Sequence, residues 1–249
     1  VIGGTFITAV LQSSSMVSLL VLAFTSAGIL SLTQAIAVIF GCNLGTTFTG
    51  WLVAYFGFRL DLETMVLPFL ALGILGGFQF KLKPKLFAVS RLITSLGFIL
   101  LGLAWMKNSS SAIQSPELIK WLGNSSLLIF FFFGLVLTAI VQSSSATMII
   151  VLGAVYADII PLSSAAATII GSDLGTTITV ILGSIGKSAV KKRVALSHVV
   201  FNTLTAVGAL ICFNLLLRWS VAMFPEPEFS LVAFLSLIHI SEPTRPLYI

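Results

Sequence analysis

The stretch "TAVLQSSSMV" at residues 8–17 returns as "TAIVQSSSAT" at residues 138–147. In both, a glutamine and three serines interrupt a run that is otherwise apolar, and polar groups at membrane depth are costly enough that they usually serve a function. Working outward, a second pair of motifs stands at the same spacing. "GCNLGTTFT" (41–49) recurs as "GSDLGTTIT" (171–179), and both pairs share one offset of 130 residues. Nearly half the positions of 8–49 and 138–179 are identical without a gap. The chain is therefore internally duplicated, as many secondary transporters are.

The 249 residues are 57% hydrophobic and only 8% charged, with a mean hydropathy of +1.12. Soluble domains carry about a quarter charged residues. Several apolar runs approach the roughly 20 residues that cross a bilayer. The expected class is an all-α polytopic membrane protein, without the short alternating strands of a β-barrel. The net charge of +5 does not point to nucleic acid, because the basic residues fall in short loops and report topology. Cys42 and Cys212 have no metal or redox spacing and read as free thiols. The chain starts Val1-Ile2-Gly3, with neither an initiator Met nor a signal peptide, and reads as an internal fragment. Its end, "SLIHISEPTRPLYI" (236–249), resembles translated sequencing-adapter read-through and is set aside.

In each half, two short apolar runs flank the QSSS motif, about 1–11 and 16–27, then 125–141 and 146–156. Such half-length helices meeting at a polar tip predict a re-entrant hairpin. A longer segment follows each, about 32–58 and 163–185, with Gly-x-(Asn/Asp)-Leu-Gly-Thr-Thr near its middle. Two glycines and β-branched threonines weaken a helix, so an unwound break is expected there. Further spans are expected near 65–80, 87–106 and 194–217. The chain thus divides into repeat 1 (1–58), connecting helices (59–124), repeat 2 (125–217) and a tail outside the repeats (218–249).

Three crossings separate the two hairpins, so the second enters from the opposite face and the repeats are inverted. Charge agrees with this count. Lys81, Lys83 and Lys85 fall on the same side as Lys187, Lys191, Lys192 and Arg193, with no acidic residue in either loop. The other side mixes Arg59, Lys107, Lys120 and Arg218 with Asp61, Glu63, Glu117, Asp158, Glu226 and Glu228. The positive-inside rule makes the lysine-rich side cytoplasmic.

At a tip or break, backbone N–H and C=O groups lose their helical partners and become available to a ligand. Half-helix N-termini favour anions, whereas exposed carbonyls favour alkali cations. Serine hydroxyls donate to an oxyanion, and amide oxygens of Gln and Asn suit a hard cation. Two inverted hairpins would then build one pseudo-symmetric site for an oxyanion and cations. No Arg or Lys lies near these motifs, so co-bound cations would have to offset the anion's desolvation.

QSSS paired with GxNxGTTxT, twice and in this order, resembles the type II sodium-dependent phosphate cotransporter family over roughly residues 4–217. The resemblance implies Na⁺-coupled symport of inorganic phosphate by alternating access in the plasma (inner) membrane, with Na⁺ as coupling ion. It nominates Ser13, Ser14, Ser15, Ser143, Ser144, Ser145, Thr46 and Thr176 for the substrate. For sodium it nominates Gln12, Asn43, Thr47, Gln142, Asp173 and Thr177. Asp173 departs from the family's usual Asn, and a carboxyl group there should be paired, protonated or cation-bound.

Plainer readings stand beside these. Ser and Gln can glue membrane helices, and small residues can serve tight packing. His198 and Asn202, four residues apart, read as a hydrogen-bonded packing pair more than as a proton relay. Arg91 snorkels, Phe130–Phe133 face lipid or pack, and the Lys187–Arg193 cluster is chiefly topogenic. The rival functions are a Na⁺-coupled carrier of sulfate or a dicarboxylate, and a passive anion channel. No nucleophile–base or metal constellation suggests an enzyme.

Overall fold

The computed structural model describes residues 1–57, 62–112, 125–186 and 188–240. Arg59, Asp61, Glu117, Lys120 and Lys187, used above for topology, lie outside the described residues. The described backbone is helical. The first repeat comprises α1 (Ile2–Leu11), α2 (Ser14–Ser26) and α3 (Leu32–Leu52), which ends in a π-helical turn at Val53–Gly57. Next come α4 (Leu62–Gln79) and α5 (Pro84–Ala112). The second repeat comprises α6 (Leu127–Val141), α7 (Ser144–Tyr156), α8 (Leu162–Gly175) and α9 (Thr177–Ser184). Then follow α10 (Ala189–Ile211), α11 (Phe213–Met223) and α12 (Pro227–Ile240).

Among the described residues, four helical segments are long and apolar enough to cross a membrane: Leu32–Tyr55, Pro84–Gly102, Leu162–Ser184 and Ala189–Ile211. By contrast α1 and α2 have 10 and 13 residues, and α6 and α7 have 15 and 13. At 1.5 Å per residue these arms are about 15–22 Å long, short of the roughly 30 Å hydrocarbon core. Many large apolar side chains are exposed, among them Phe78, Ile140 and Ile211 at 75–79%, which suits a lipid solvent. Of the phenylalanine run, Phe130 and Phe131 are buried whereas Phe132 and Phe133 are exposed.

The duplication extends to the backbone. Gln12 and Gln142 close the first arm of each half in the left-handed region, at φ 54° and 57°. Both donate their N–H to a threonine carbonyl four residues back, Thr8 and Thr138, at 2.7 Å. The loop after each second arm also repeats. Ile29 N–H reaches the Phe24 carbonyl and Ile159 N–H the Ala154 carbonyl, both at 2.9 Å. The left-handed residue in that loop is Gly28 (φ 74°) in one half and Asp158 (φ 54°) in the other. Glycine reaches this conformation freely, and Asp is among the few other residues that visit it.

Glycines set how closely each first arm meets its motif helix. A Cβ on Gly41 would lie 2.1 Å from the Val1 carbonyl oxygen, and one on Gly171 would lie 1.8 Å from that of Phe131. From the opposite side, Gly4 and Gly134 would strike the carbonyls of Val38 and Thr168 at 2.2 and 2.0 Å. Each pair of helices therefore touches backbone to backbone, and only a hydrogen side chain fits at the seam.

This packing corrects the expectation of a broken helix in the first half. Helix α3 runs unbroken through Gly41–Thr47. In the second half the interruption is one residue, Thr176, which itself has helical angles (φ −62°, ψ −25°). The glycines serve close approach, and the adjoining helix restrains the backbone that their low propensity would otherwise loosen. The expected last span, 194–217, is likewise divided at Cys212, between α10 and α11. Residues 236–240, set aside above, form the end of α12, a helix whose Leu231, Val232, Phe234 and Leu235 are fully buried.

Beyond these seams, the end of each motif helix reaches into the other repeat. Val180 of α9 shares a buried cluster with Val17, Val21 and Leu22 of α2. Val53 and Ala54, after α3, share another with Met148, Val151 and Leu152 of α7. Each repeat thus contributes apolar surface to the other's second arm.

Candidate functional site

The two QSSS tips meet. Ser15 Oγ donates to the Gln142 carbonyl oxygen at 3.2 Å. Residues far apart in the chain thus come together through the two copies of one motif, at positions that are not equivalent in the repeat. Around each tip the same division of labour appears. The Gln ends the first arm. The first serine then caps the second arm, with Ser13 Oγ accepting from Met16 N–H and Ser143 Oγ accepting from Ala146 N–H, both at 3.2 Å. The remaining serines, Ser14, Ser15, Ser144 and Ser145, form the first turns of α2 and α7. In a first turn, backbone N–H groups lack intrahelical partners and the helix dipole favours negative charge. The first turn of α2 is thereby brought against the tip that leads into α7.

Of the sequence-predicted residues, Ser13 and Ser143 have their oxygens committed to capping. Gln12 is partly committed too, since Nε2 donates to the Ala9 carbonyl. Ser14, Ser144 and Ser145 remain the hydroxyls best placed for a ligand, since the Ser15 proton is engaged by the Gln142 carbonyl. None of the buried polar side chains among the described residues is a Lys or Arg, so the site relies on dipoles and hydroxyls.

The threonines of the second motif are buried and fold back on their own helices. Thr46 donates to the Cys42 carbonyl at 3.0 Å and Thr47 to that of Leu44 at 2.7 Å. Thr176 and Thr177 donate to the carbonyls of Asp173 and Leu174 at 2.6 and 2.7 Å. A hydroxyl whose proton is thus engaged has only lone pairs to offer. That chemistry, at Thr46 and Thr176 as at Thr47 and Thr177, suits a cation better than an oxyanion.

Asn43 and Asp173 do not play equivalent parts. Asn43 is buried and donates from Nδ2 to Asn202 Oδ1 at 2.7 Å. Asp173 turns its carboxylate toward α12, with Oδ2 3.5 Å from His239 Nε2, while its main-chain carbonyl accepts from Asn202 Nδ2 at 2.7 Å. His198 Nε2 lies 3.3 Å from the same Asn202 nitrogen. Four residues apart, His198 and Asn202 form a local pair, as their spacing predicts. Their part in joining the two motif helices has no local signature, because it depends on which helices meet.

The halves differ again behind the tips. In the second, Thr138 Oγ1 lies 2.8 Å from both Thr147 Oγ1 and Ser172 Oγ. In the first, the positions matching Thr147 and Ser172 are Val17 and Cys42, so this polar trio is not duplicated. Cys42 is buried and Cys212 exposed, and both are free thiols.

The family model described as Na⁺/Pi-cotransporter matches residues 1–108 and 113–224, and so takes in both QSSS tips and both motif helices. The chain belongs to the Na⁺/Pi-cotransporter family. Among its relatives, the Bacillus subtilis (strain 168) protein named "Uncharacterized protein YqeW" is 30% identical over 94% of this chain and 75% of its own length. The Escherichia coli (strain K12) protein named "Putative inorganic phosphate export protein YjbB" is 24% identical over 95% of this chain. The Salmonella typhimurium protein of the same name is 24% identical over 84% of the chain. The chain spans less than half the length of these two phosphate-export relatives. No solved structure matches it. As a Na⁺/Pi-cotransporter family member with four apolar helices of spanning length among the described residues, the chain is a membrane protein of a phosphate-transport family.

Proposed function

We propose that the protein is a secondary active transporter of the plasma membrane that carries inorganic phosphate by Na⁺-coupled symport. The observation that carries this reading is the meeting of the two QSSS tips, where Ser15 in the first turn of α2 donates to Gln142, the residue that closes α6 just before α7 begins. Phosphate would sit between the two tips. It would accept hydrogen bonds from first-turn N–H groups and from the hydroxyls of Ser14, Ser144 and Ser145, with Ser15 joining them only by giving up its bond to the Gln142 carbonyl. The oxygens of Asn43, Thr46, Thr47, Thr176 and Thr177 would hold sodium nearby, with Gln12, Gln142 and Asp173 at the margin. With no buried Lys or Arg among the described residues to neutralise it, the anion would depend on the cations for compensation, and this dependence would couple the two.

The short α1–α2 and α6–α7 pairs act as re-entrant hairpins of two inverted repeats. What supports this is their length and the matching geometry of their tips. Alternating access would come from one repeat rocking against the other around a fixed midplane site.

Uptake of labelled phosphate into proteoliposomes tests the reading. Accumulation against a phosphate gradient, driven by an inward Na⁺ gradient, is expected. Uptake that ignores Na⁺ would overturn symport. Inhibition by sulfate or succinate as strong as by phosphate would overturn the substrate, and failure to accumulate would favour a channel. The name of the Escherichia coli relative favours a second reading, phosphate export. Efflux from preloaded vesicles that exceeds uptake under the same Na⁺ gradient would select it.

A further inference from the structure

Asn202 is 2% exposed and lies on α10, outside both repeated motifs. Its one amide nevertheless serves both of them. Oδ1 accepts from Asn43 Nδ2 at 2.7 Å, and Nδ2 donates to the Asp173 carbonyl at 2.7 Å. The Asp173 bond uses one proton of Nδ2, and the other faces His198 Nε2 at 3.3 Å, with Thr176 Oγ1 at 3.5 Å. These contacts fix the orientation of both amides. Asn202 must present oxygen to α3 and nitrogen to α8. Asn43 must then use its nitrogen on Asn202, which leaves its carbonyl oxygen as the atom with lone pairs for a ligand. Phe40, about one turn before Asn43, stacks on Phe201, the neighbour of Asn202, with centroids 3.7 Å apart. That contact holds α10 against α3 at this depth.

We propose that Asn202 is a positioning residue for the sodium site: it turns Asn43 so that an amide oxygen, rather than an N–H, is offered to the cation, and it ties that oxygen's helix to the Asp173–Thr176 segment of the other repeat. The inference rests on the Na⁺-coupled reading. A residue outside the ligand set that orients a ligand resembles the outer-shell partners of metal sites, whose loss costs about ten- to a hundredfold in metal affinity.

The test uses the full chain in proteoliposomes, with labelled phosphate uptake measured as NaCl replaces choline chloride. Asn202→Ala should raise the half-activating Na⁺ concentration about tenfold or more, with the phosphate KM at saturating Na⁺ changed far less. Asn43→Ala should do the same, and the double variant should be little worse than either single one, because both remove one arrangement. A merely structural role would lower the maximal rate and the thermal midpoint while leaving half-activation by Na⁺ unchanged, and that result would overturn the proposal. Additive effects of the two substitutions would also overturn it. Should Asn202→Ala fail to insert, Asn202→Thr retains a small polar group and is read in the same way. If wild-type uptake is indifferent to Na⁺, the transport reading and this one fall together. A Na⁺-dependent wild type with an unaltered Asn202 variant removes only this one.

Discussion

Ser15 and Gln142 are separated by 127 residues of chain, yet the hydroxyl of the first donates to the main-chain carbonyl of the second at 3.2 Å. The contact joins the start of one second arm to the end of the other first arm. It yields a direct structural prediction. With Cys42 and Cys212 replaced by alanine, Ser15→Cys together with Gln142→Cys should cross-link within one chain under a short bismaleimide. Pairing Ser15→Cys with an exposed position such as Leu204→Cys should not. Mobility on a denaturing gel reads the outcome, and equal cross-linking of the two pairs would mean that the tips do not meet.

Ser144→Ala and Asn43→Ala should reduce phosphate uptake while leaving membrane insertion intact. A lost hydrogen bond to a charged group is worth about 1.5–3 kcal/mol, which is on the order of ten- to a hundredfold in affinity. Transport at near wild-type rates in both variants would show that the site lies elsewhere.

The glycine seams make a different kind of prediction. Gly171→Ala would place a methyl group 1.8 Å from the Phe131 carbonyl oxygen, so α6 and α8 must separate. Overpacking of this kind costs about 1–3 kcal/mol, and the detergent-solubilised protein should melt earlier. Gly208→Ala is the matched control. Nothing lies within 4 Å of a Cβ there, and alanine is favoured over glycine in a helix by about 1 kcal/mol. That variant should melt at the wild-type temperature or above. An unaltered midpoint for Gly171→Ala would contradict the backbone contact.

Asp158 occupies a left-handed position that its counterpart fills with Gly28. Relief of the Cβ penalty by Asp158→Gly should stabilise the protein by roughly 1 kcal/mol. Gly28→Ala should destabilise it by a similar amount. Thermal melts of the pair check both signs, and a lower midpoint for Asp158→Gly would point to a contact of the carboxylate that outweighs strain.

Much of the site was legible because it is written twice. One offset aligned both motifs, and the structure gives Gln12 and Gln142, or Ser13 and Ser143, matching backbone angles and caps. The unbroken course of α3 was not legible. Glycine and threonine predict weakness from local propensity, whereas Gly41 and Gly45 answer to a neighbouring helix that propensity does not see. The role of Asn202 was hidden for a related reason. A spacing of four identifies His198 as a neighbour, but only tertiary packing brings in Asn43 and Asp173. The division of labour among the serines was also invisible, since all three look alike until the helix start is located and Ser13 proves to be its cap.

The seams at Gly4–Gly41 and Gly134–Gly171 carry one more consequence. A contact made of main chain has no side-chain rotamers through which to yield, so each first arm and its motif helix must travel as one solid piece. Any motion that opens a path to either side of the membrane has to occur along the softer joints, where apolar side chains of one repeat lie among those of the other and a few amides span the gap. Under the proposed alternating access, the duplicated halves would be the stiff jaws, and the hinge would be the oil between them.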